Sequence, residues 1–219
     1  NDIGDGIRKF QQQPVSLFGG TLILLNITIS LVFDFFLIDI DLFKNFITTN
    51  REIFAFIFGL VSFYLFGLFD DKYNLSANYK LVISFFFISL FILIDNNLNI
   101  SELKFSFTSH NIELKSFSNF FTILCFLLFI NALNMFDGIN CQSGLYCIFI
   151  FSIFFFKNTL PYFSLILILS LFIFLILNFK NKMYLGESGV LILAYIIGYI
   201  FVKTTKINDI NFFVDEIFI

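Results

Sequence analysis

The feature that most limits what this chain can become is a series of nearly charge-free apolar runs, each closed by a short polar break. A bilayer core is crossed by about 20 apolar residues in a helix, with a range of about 17–25. On that measure the runs are Leu17–Ile38, Ile53–Phe69, Ala77–Ile94, Phe117–Phe136, Gln142–Phe156, Leu160–Leu177 and Ser188–Val202, and another begins near Ile210. They are continuous rather than alternating, which predicts helices and not barrel strands. The fifth and seventh are short, suited to a re-entrant or partly sunken helix. Only 13% of the residues are charged, where soluble domains carry roughly 25%. So few polar groups could not cover a water-facing surface. The predicted fold is all-α, a polytopic transmembrane helical bundle of about seven to eight spans. Residues 1–219 are expected to form a single transmembrane domain truncated at both ends: no signal-like segment follows Asn1, and "NFFVDEIFI" stops as an apolar run begins.

Several function classes drop out early. The net charge is −3 with no basic tract, so nucleic acid is not an expected partner. The 38 phenylalanines, with no tryptophan, are read as packing and lipid contact. Cys125, Cys141 and Cys147 form no CxxC pair and lie in or beside apolar runs, which points to free thiols rather than a metal site or disulfide. His110 lies in a loop far from the acids discussed below, Asp34, Asp39 and Asp41 flank the first turn, and Asn99-Ile-Ser101 matches a short glycosylation pattern. A transporter would keep its polar groups near the midplane.

Here the polar groups gather at one mouth. Numbering the spans alternately puts "RKFQQQPVSLFGG", "DDKYNLSANYK", "NMFDGINCQ" and "KNKMYLGESG" on one side, called side one. Side two receives "DIDLFKNFITTNRE", "DNNLNISELKFSFTSHNIELKS", "KNTLP" and "KTTKINDI". Lysines and arginines do not orient the chain under the positive-inside rule. Six fall on side one (Arg8, Lys9, Lys72, Lys80, Lys180, Lys182) and seven on side two (Lys44, Arg51, Lys104, Lys115, Lys157, Lys203, Lys206).

Side one collects Asp70, Asp71, Asp137 and Glu187, each at a helix mouth beside apolar sequence. Carboxylates there are costly unless paired or solvated. With Lys72 and Lys80 close by, they suit a divalent metal and phosphates, because Mg²⁺ takes one or two protein carboxylates and completes its shell with water and phosphate oxygens. "YLGESGV" opens a helix whose free N–H groups suit an anion, and Gly186 and Gly189 allow close backbone approach to a ligand. Glu187 and Ser188 are equally a good helix start. In "NALNMFDGIN", Asn131 and Asn134 are three apart and share a helix face, with Asp137 continuing the line. Such amides can read a base or sugar, or simply bond a neighbouring helix.

These loops, in this order, resemble those of the polyprenyl-phosphate N-acetylhexosamine-1-phosphate transferases, glycosyltransferase family 4. "GLFDDKYNLSANYKL" resembles that family's "GxxDDxxxLSxxxKL", "NALNMFDGIN" its "NAxNxxDGxDG", "YLGESGV" its "FxGDxGS", and "RKFQQQPVSLFGG" its first cytoplasmic loop, "RKxHxxPxPxxGG". The likeness covers nearly the whole chain. It is nearer to the undecaprenyl-phosphate GlcNAc-1-phosphate transferases, which start O-antigen, enterobacterial common antigen or teichoic acid linkers, than to the phospho-N-acetylmuramoyl-pentapeptide transferases.

The resemblance implies an enzyme of the cytoplasmic (inner) membrane whose site, side one, faces the cytoplasm. It would move a sugar-1-phosphate from a UDP-sugar to undecaprenyl phosphate, releasing UMP, with Mg²⁺, or Mn²⁺ as the alternative ion. The partners implied are the UDP-sugar, undecaprenyl phosphate and the lipid bilayer, with a homodimer as a further assembly. Carried over by position, Asp70 and Asp71 are the paired catalytic acids, one of them acting on the lipid phosphate directly or through a covalent phospho-aspartate, and Asp137 is a further catalytic acid lying in the nucleotide-sugar site. Glu187 and Asp70 are the metal ligands; Lys80 contacts phosphate; Asn131, Asn134, Gly138 and Asn140 belong to the nucleotide-sugar site. Departures from the pattern are Asn140 for the second aspartate of "DGxD", Glu187 for the metal-binding aspartate, Val190 for serine, and Gln11 or a neighbour at the histidine of the first loop. The paired histidines of a later cytoplasmic loop would fall beyond Ile219. A non-catalytic homologue that binds lipid phosphate or scaffolds glycan assembly is the alternative that Asn140 and Glu187 suggest.

Overall fold

The computed structural model describes residues 15–34, 42–43, 46–105, 107 and 111–206. The described residues form seven α-helices: α1 (Gly19–Phe33), α2 (Asn50–Tyr73), α3 (Ala77–Ile94), α4 (Ser118–Phe136), α5 (Gln142–Phe156), α6 (Pro161–Phe179) and α7 (Gly186–Thr204). Among the described residues, five apolar stretches are long enough to cross a membrane: α2, α3, α6, α7, and α4 with the turn before it, Lys115–Phe136. The chain is a multi-pass, all-α membrane protein. The eighth expected run near Ile210, the end of the first one past Asp34, and His110 lie outside the described residues.

Local chemistry sets the helix ends. Thr49 caps α2 by accepting from the Glu52 N–H at 3.3 Å, while the Glu52 carboxylate accepts from the Thr48 N–H at 3.0 Å, close to a capping box. Asn74 closes α2 in the left-handed conformation, φ 49°. Pro161 is the first residue of α6, where its missing N–H costs nothing.

Helix α7 is the axis of the bundle. Of its apolar stretch 89% is buried inside the protein, against 22% for α3 and 28% for α4, whose remaining faces are left for lipid. It packs most closely on α2 and also touches α1, α4 and α5; α5 and α6 form a second close pair. At its centre Tyr195, wholly buried, donates to the Ala55 carbonyl at 3.2 Å and sits among the rings of Phe56, Phe63 and Phe91. The seventh run is therefore not a short, sunken helix. It is 19 residues long, because the charged residue that seemed to end it, Lys203, is buried. Helix α5 does remain short, at 15 residues.

Elsewhere a two-residue ribbon pairs β1 (Glu102–Leu103) antiparallel with β2 (Ile112–Glu113) on side two. Cys125, Cys141 and Cys147 are free thiols.

Candidate active site

Three helices deliver the side-one acids. Helix α2 ends with Asp70 and Asp71 in its last turn, α3 starts with Lys80 in its first, and α7 starts with Glu187. Because α2 and α7 run antiparallel, the end of one meets the beginning of the other. Gly67 makes that meeting close: a Cβ there would lie 2.2 Å from the Ser188 Cα, so only glycine lets the two backbones touch. On the other side of α7, residues 16–20 lie along 183–185, with the Gly19 and Gly20 N–H groups donating to the Tyr184 and Leu185 carbonyls at 3.0 Å. The paired glycines of the first motif thus wedge the start of α7 against α1.

Lys80 bridges Asp70 and Glu187. Its Nζ contacts the Asp70 carboxylate and lies 3.0 Å from Glu187 Oε1. Asp70 is 2% exposed, and its Oδ1 accepts from the Leu75 N–H at 2.8 Å, tying the acid to the tight turn after α2. Asp71 points the other way, into the first turn of α7. Its Oδ1 accepts from the Glu187 N–H at 2.9 Å and its Oδ2 from the Ser188 N–H at 3.4 Å. The helix start that suited either a ligand anion or a plain helix opening holds a carboxylate of the protein itself, which suits the free N–H groups and positive end of α7. Gly186 adopts φ +71° there, and a Cβ on it would press within 3.0 Å of Asp71 Oδ2. Gly186 and Gly189 serve this internal packing.

Asp137 caps the end of α4 from outside the membrane span and accepts from the Ser143 hydroxyl. Burial pushes its carboxyl above the usual carboxylate range; the Ser143 hydrogen bond opposes the shift and the nearby Asp71 charge adds to it. Asp70, Asp71, Lys80 and Glu187 are thus in direct contact, and Asp137 stands close enough to feel Asp71.

The amides of the second motif do something else. Asn131 donates to the Leu127 carbonyl of its own helix at 2.7 Å, and the Asn134 carbonyl accepts from the Asp137 N–H. Gly138 is exposed, with open space around it, and Asn140 donates to Asn181 Oδ1 at 2.6 Å. Sequence reading missed Asn178. This buried amide, 4% exposed, accepts from the Cys141 N–H at 2.7 Å and donates to the Met183 carbonyl at 2.8 Å. It stitches the loop after α4 to the loop before α7. An asparagine inside an otherwise apolar helix was the signal available.

Among the described residues no three acids, cysteines or histidines form a ready-made metal cage. A dication shared with phosphates needs only one or two carboxylates. Glu187 Oε2 is buried with no hydrogen-bond partner, an acceptor such an ion would satisfy.

Fold and site together define a class: a polytopic helical membrane protein with an acid–lysine cluster at one membrane face. The profile of glycosyl transferase family 4 matches residues 53–205, and the chain belongs to that family. It is 32% identical to the phospho-N-acetylmuramoyl-pentapeptide-transferase of Petrotoga mobilis, over 98% of this chain and 70% of that one. It is 24% identical to the undecaprenyl-phosphate alpha-N-acetylglucosaminyl 1-phosphate transferase of Escherichia coli O157:H7, over 69% of this chain and 48% of that one. The pentapeptide transferase, expected from the motifs to be the more distant relative, shares the higher identity of the two.

Proposed function

We propose that the protein transfers a sugar-1-phosphate from a UDP-N-acetylhexosamine to undecaprenyl phosphate, releasing UMP, at the cytoplasmic face of the inner membrane. The observation that carries this reading is the meeting of Asp70, Asp71, Glu187 and Lys80, from three helices, where hydrocarbon ends. A water-borne donor and an oil-bound acceptor can share only such a place.

In the reaction a lipid-phosphate oxygen forms a bond to the β-phosphorus of the donor. The bridge between the two phosphorus atoms breaks, and UMP leaves with its electrons. This chemistry asks for alignment and charge neutralisation more than covalent help. Three carboxylates gathered with one ammonium repel a diphosphate, so the cluster calls for a further cation. Asp70 and Glu187 would hold Mg²⁺, or Mn²⁺ in its place, which when bound supplies that neutralisation. Lys80, already between them, offers N–H donors to phosphate oxygens. Asp70 orients the lipid phosphate or takes its proton, while Asp71 keeps the start of α7, and so Glu187, in place. Asp137, Asn131, Asn134, Gly138 and Asn140 border the side on which the nucleotide sugar would enter.

A UDP-N-acetylmuramoyl-pentapeptide donor is the second reading, favoured by the 32% identity to the Petrotoga enzyme. The departures that suggested a non-catalytic homologue are accommodated, since Asn140 pairs with Asn181 and Glu187 reaches Lys80. The test is UMP release by the full-length protein with Mg²⁺, undecaprenyl phosphate and a panel of UDP-sugars including both donors. Turnover of one donor, lost on chelation and in Asp70→Asn, is the expected result. Tight donor binding with no UMP from any of them would sink the reading.

A further inference from the structure

At the opposite membrane face, the three helices that build the site are tied together a second time. Lys203, in the last turn of α7, lies 3.1 Å from Glu52 Oε2 in the first turn of α2 and 2.8 Å from Asp95 Oδ2 at the end of α3. All three are nearly sealed from solvent, with Lys203 at 4%, Glu52 at 3% and Asp95 at 2% exposure. The remaining acceptors are filled. Asn97 donates to Glu52 Oε1 at 2.8 Å through its side chain and to Asp95 Oδ1 at 2.9 Å through its backbone, and the Tyr199 hydroxyl donates to Asp95 Oδ2 at 3.2 Å. Ionisable groups buried at membrane depth are costly and are retained where they do something specific.

We infer that Lys203, Glu52 and Asp95 are positioning residues: a distal clamp that sets the registers of α2, α3 and α7 and thereby the geometry of Asp70, Asp71, Lys80 and Glu187. The inference rests on the transferase reading only for its kinetic consequence. Glu52 and Asp71 are on one rigid helix, Asp95 ends the helix that carries Lys80, and Lys203 shares a helix with Glu187. At about 1.5 Å per residue, the two ends of each helix stand roughly 22–29 Å apart. Inside a bilayer, apolar packing between these helices is van der Waals contact, which resists separation but is weakly directional. A slide of α7 by one residue, about 1.5 Å, would still bury hydrocarbon. It would also carry Lys203 off two buried carboxylates, which is heavily penalised in a low-dielectric interior. The same slide would take the Glu187 N–H away from Asp71, now 2.9 Å distant. Clamp and site are thus two ends of one set of rods.

The experiment compares wild type, Lys203→Arg, and the neutral combination Glu52→Gln with Asp95→Asn and Lys203→Met, each as full-length protein in nanodiscs. Amide exchange is followed over residues 184–190, alongside Tm and the kinetics of UMP release. Neutralising a buried ion cluster as a whole is tolerated far better than orphaning its members, so the triple variant is expected to keep a Tm near wild type. Its 184–190 segment should nonetheless exchange about fivefold faster or more, as the Asp71 cap loosens. Its kcat should fall about tenfold or more with KM for the donor within about threefold, and Lys203→Arg should recover most of both. If the triple variant is not recovered folded, Asp95→Asn, which keeps the Lys203–Glu52 pair, is read the same way. A folded clamp variant whose 184–190 exchange matches wild type overturns the proposal. Should wild type release no UMP, only the transferase reading falls and the exchange comparison still decides the clamp.

Discussion

Replacing Gly67 with alanine perturbs the narrowest point between the two helices that make the site. The new Cβ would lie 2.2 Å from the Ser188 Cα and 2.4 Å from the Ser188 nitrogen, both backbone atoms that no rotamer change can move. Carbon atoms rest at about 3.5–4.0 Å, so α2 and α7 must part by about 1.3 Å or more. The Asp71–Glu187 hydrogen bond, now 2.9 Å, then stretches to about 4 Å, beyond any hydrogen bond. Overpacking of this kind costs about 1–3 kcal/mol, and a displacement of about 1 Å between reacting groups costs about a hundredfold in rate. Purified Gly67→Ala should therefore show a lower Tm in detergent and UMP release down by about two orders of magnitude. Gly138→Ala is the stability control, because the nearest atom to its added Cβ is 4.0 Å away, and its Tm should match wild type. A Gly67→Ala protein with wild-type Tm and wild-type rate would refute the close approach and the site geometry built on it.

Three further substitutions probe separate parts of the account. Asp71→Asn keeps one acceptor for the Glu187 N–H but turns an amide donor toward the Ser188 N–H. It should cost about 1 kcal/mol of stability through the lost helix-end charge and bond, seen as a lower Tm; no change would remove the capping role. Asp137 has its carboxyl raised by burial, so the stability it contributes is complete below its unfolded value and is lost as pH rises through the folded one. Asp137→Asn should accordingly raise Tm at pH 7 and flatten the Tm–pH slope above pH 4 while lowering turnover; a lower Tm at pH 7 would contradict the shift. Asn178→Ala strands the Cys141 N–H and the Met183 carbonyl. At about 1–3 kcal/mol for each buried group left unpaired, it should lower Tm and speed amide exchange in both side-one loops, and an unchanged exchange pattern would show the loops to be held otherwise.

Much of this architecture could be read from residue order, because a bilayer makes span length and polarity unusually direct signals. The runs at Ala77–Ile94 and Gln142–Phe156 coincide with α3 and α5 to the residue. The convergence of Asp70, Asp71 and Glu187 followed from counting spans and needed no contact information. Helix ends differ from those hydropathy predicts where a charge does not mark water. Glu52 and Lys203 lie inside α2 and α7, each one residue past the expected end, since each neutralises the other across 151 residues of chain. Hydropathy sees one residue at a time and is blind to such pairing. For the same reason hydropathy leaves the start of α7 open between a ligand site and a plain helix start, when its anion comes from Asp71, at the end of α2 five helices earlier in the chain. The glycines of "LFGG" and "LFGLFDD" carried a packing signal that becomes specific only once the partner backbone is known.

Lys80 and Glu187, 107 residues apart in the chain, are held to work as one unit. A double-mutant cycle on UMP release, with Lys80→Gln, Glu187→Gln and both together, measures that directly. The double variant should lose little more than the worse single one, with the pair coupled by about tenfold or more. A double variant whose loss equals the product of the two single losses would show that the acid and the lysine act in separate places.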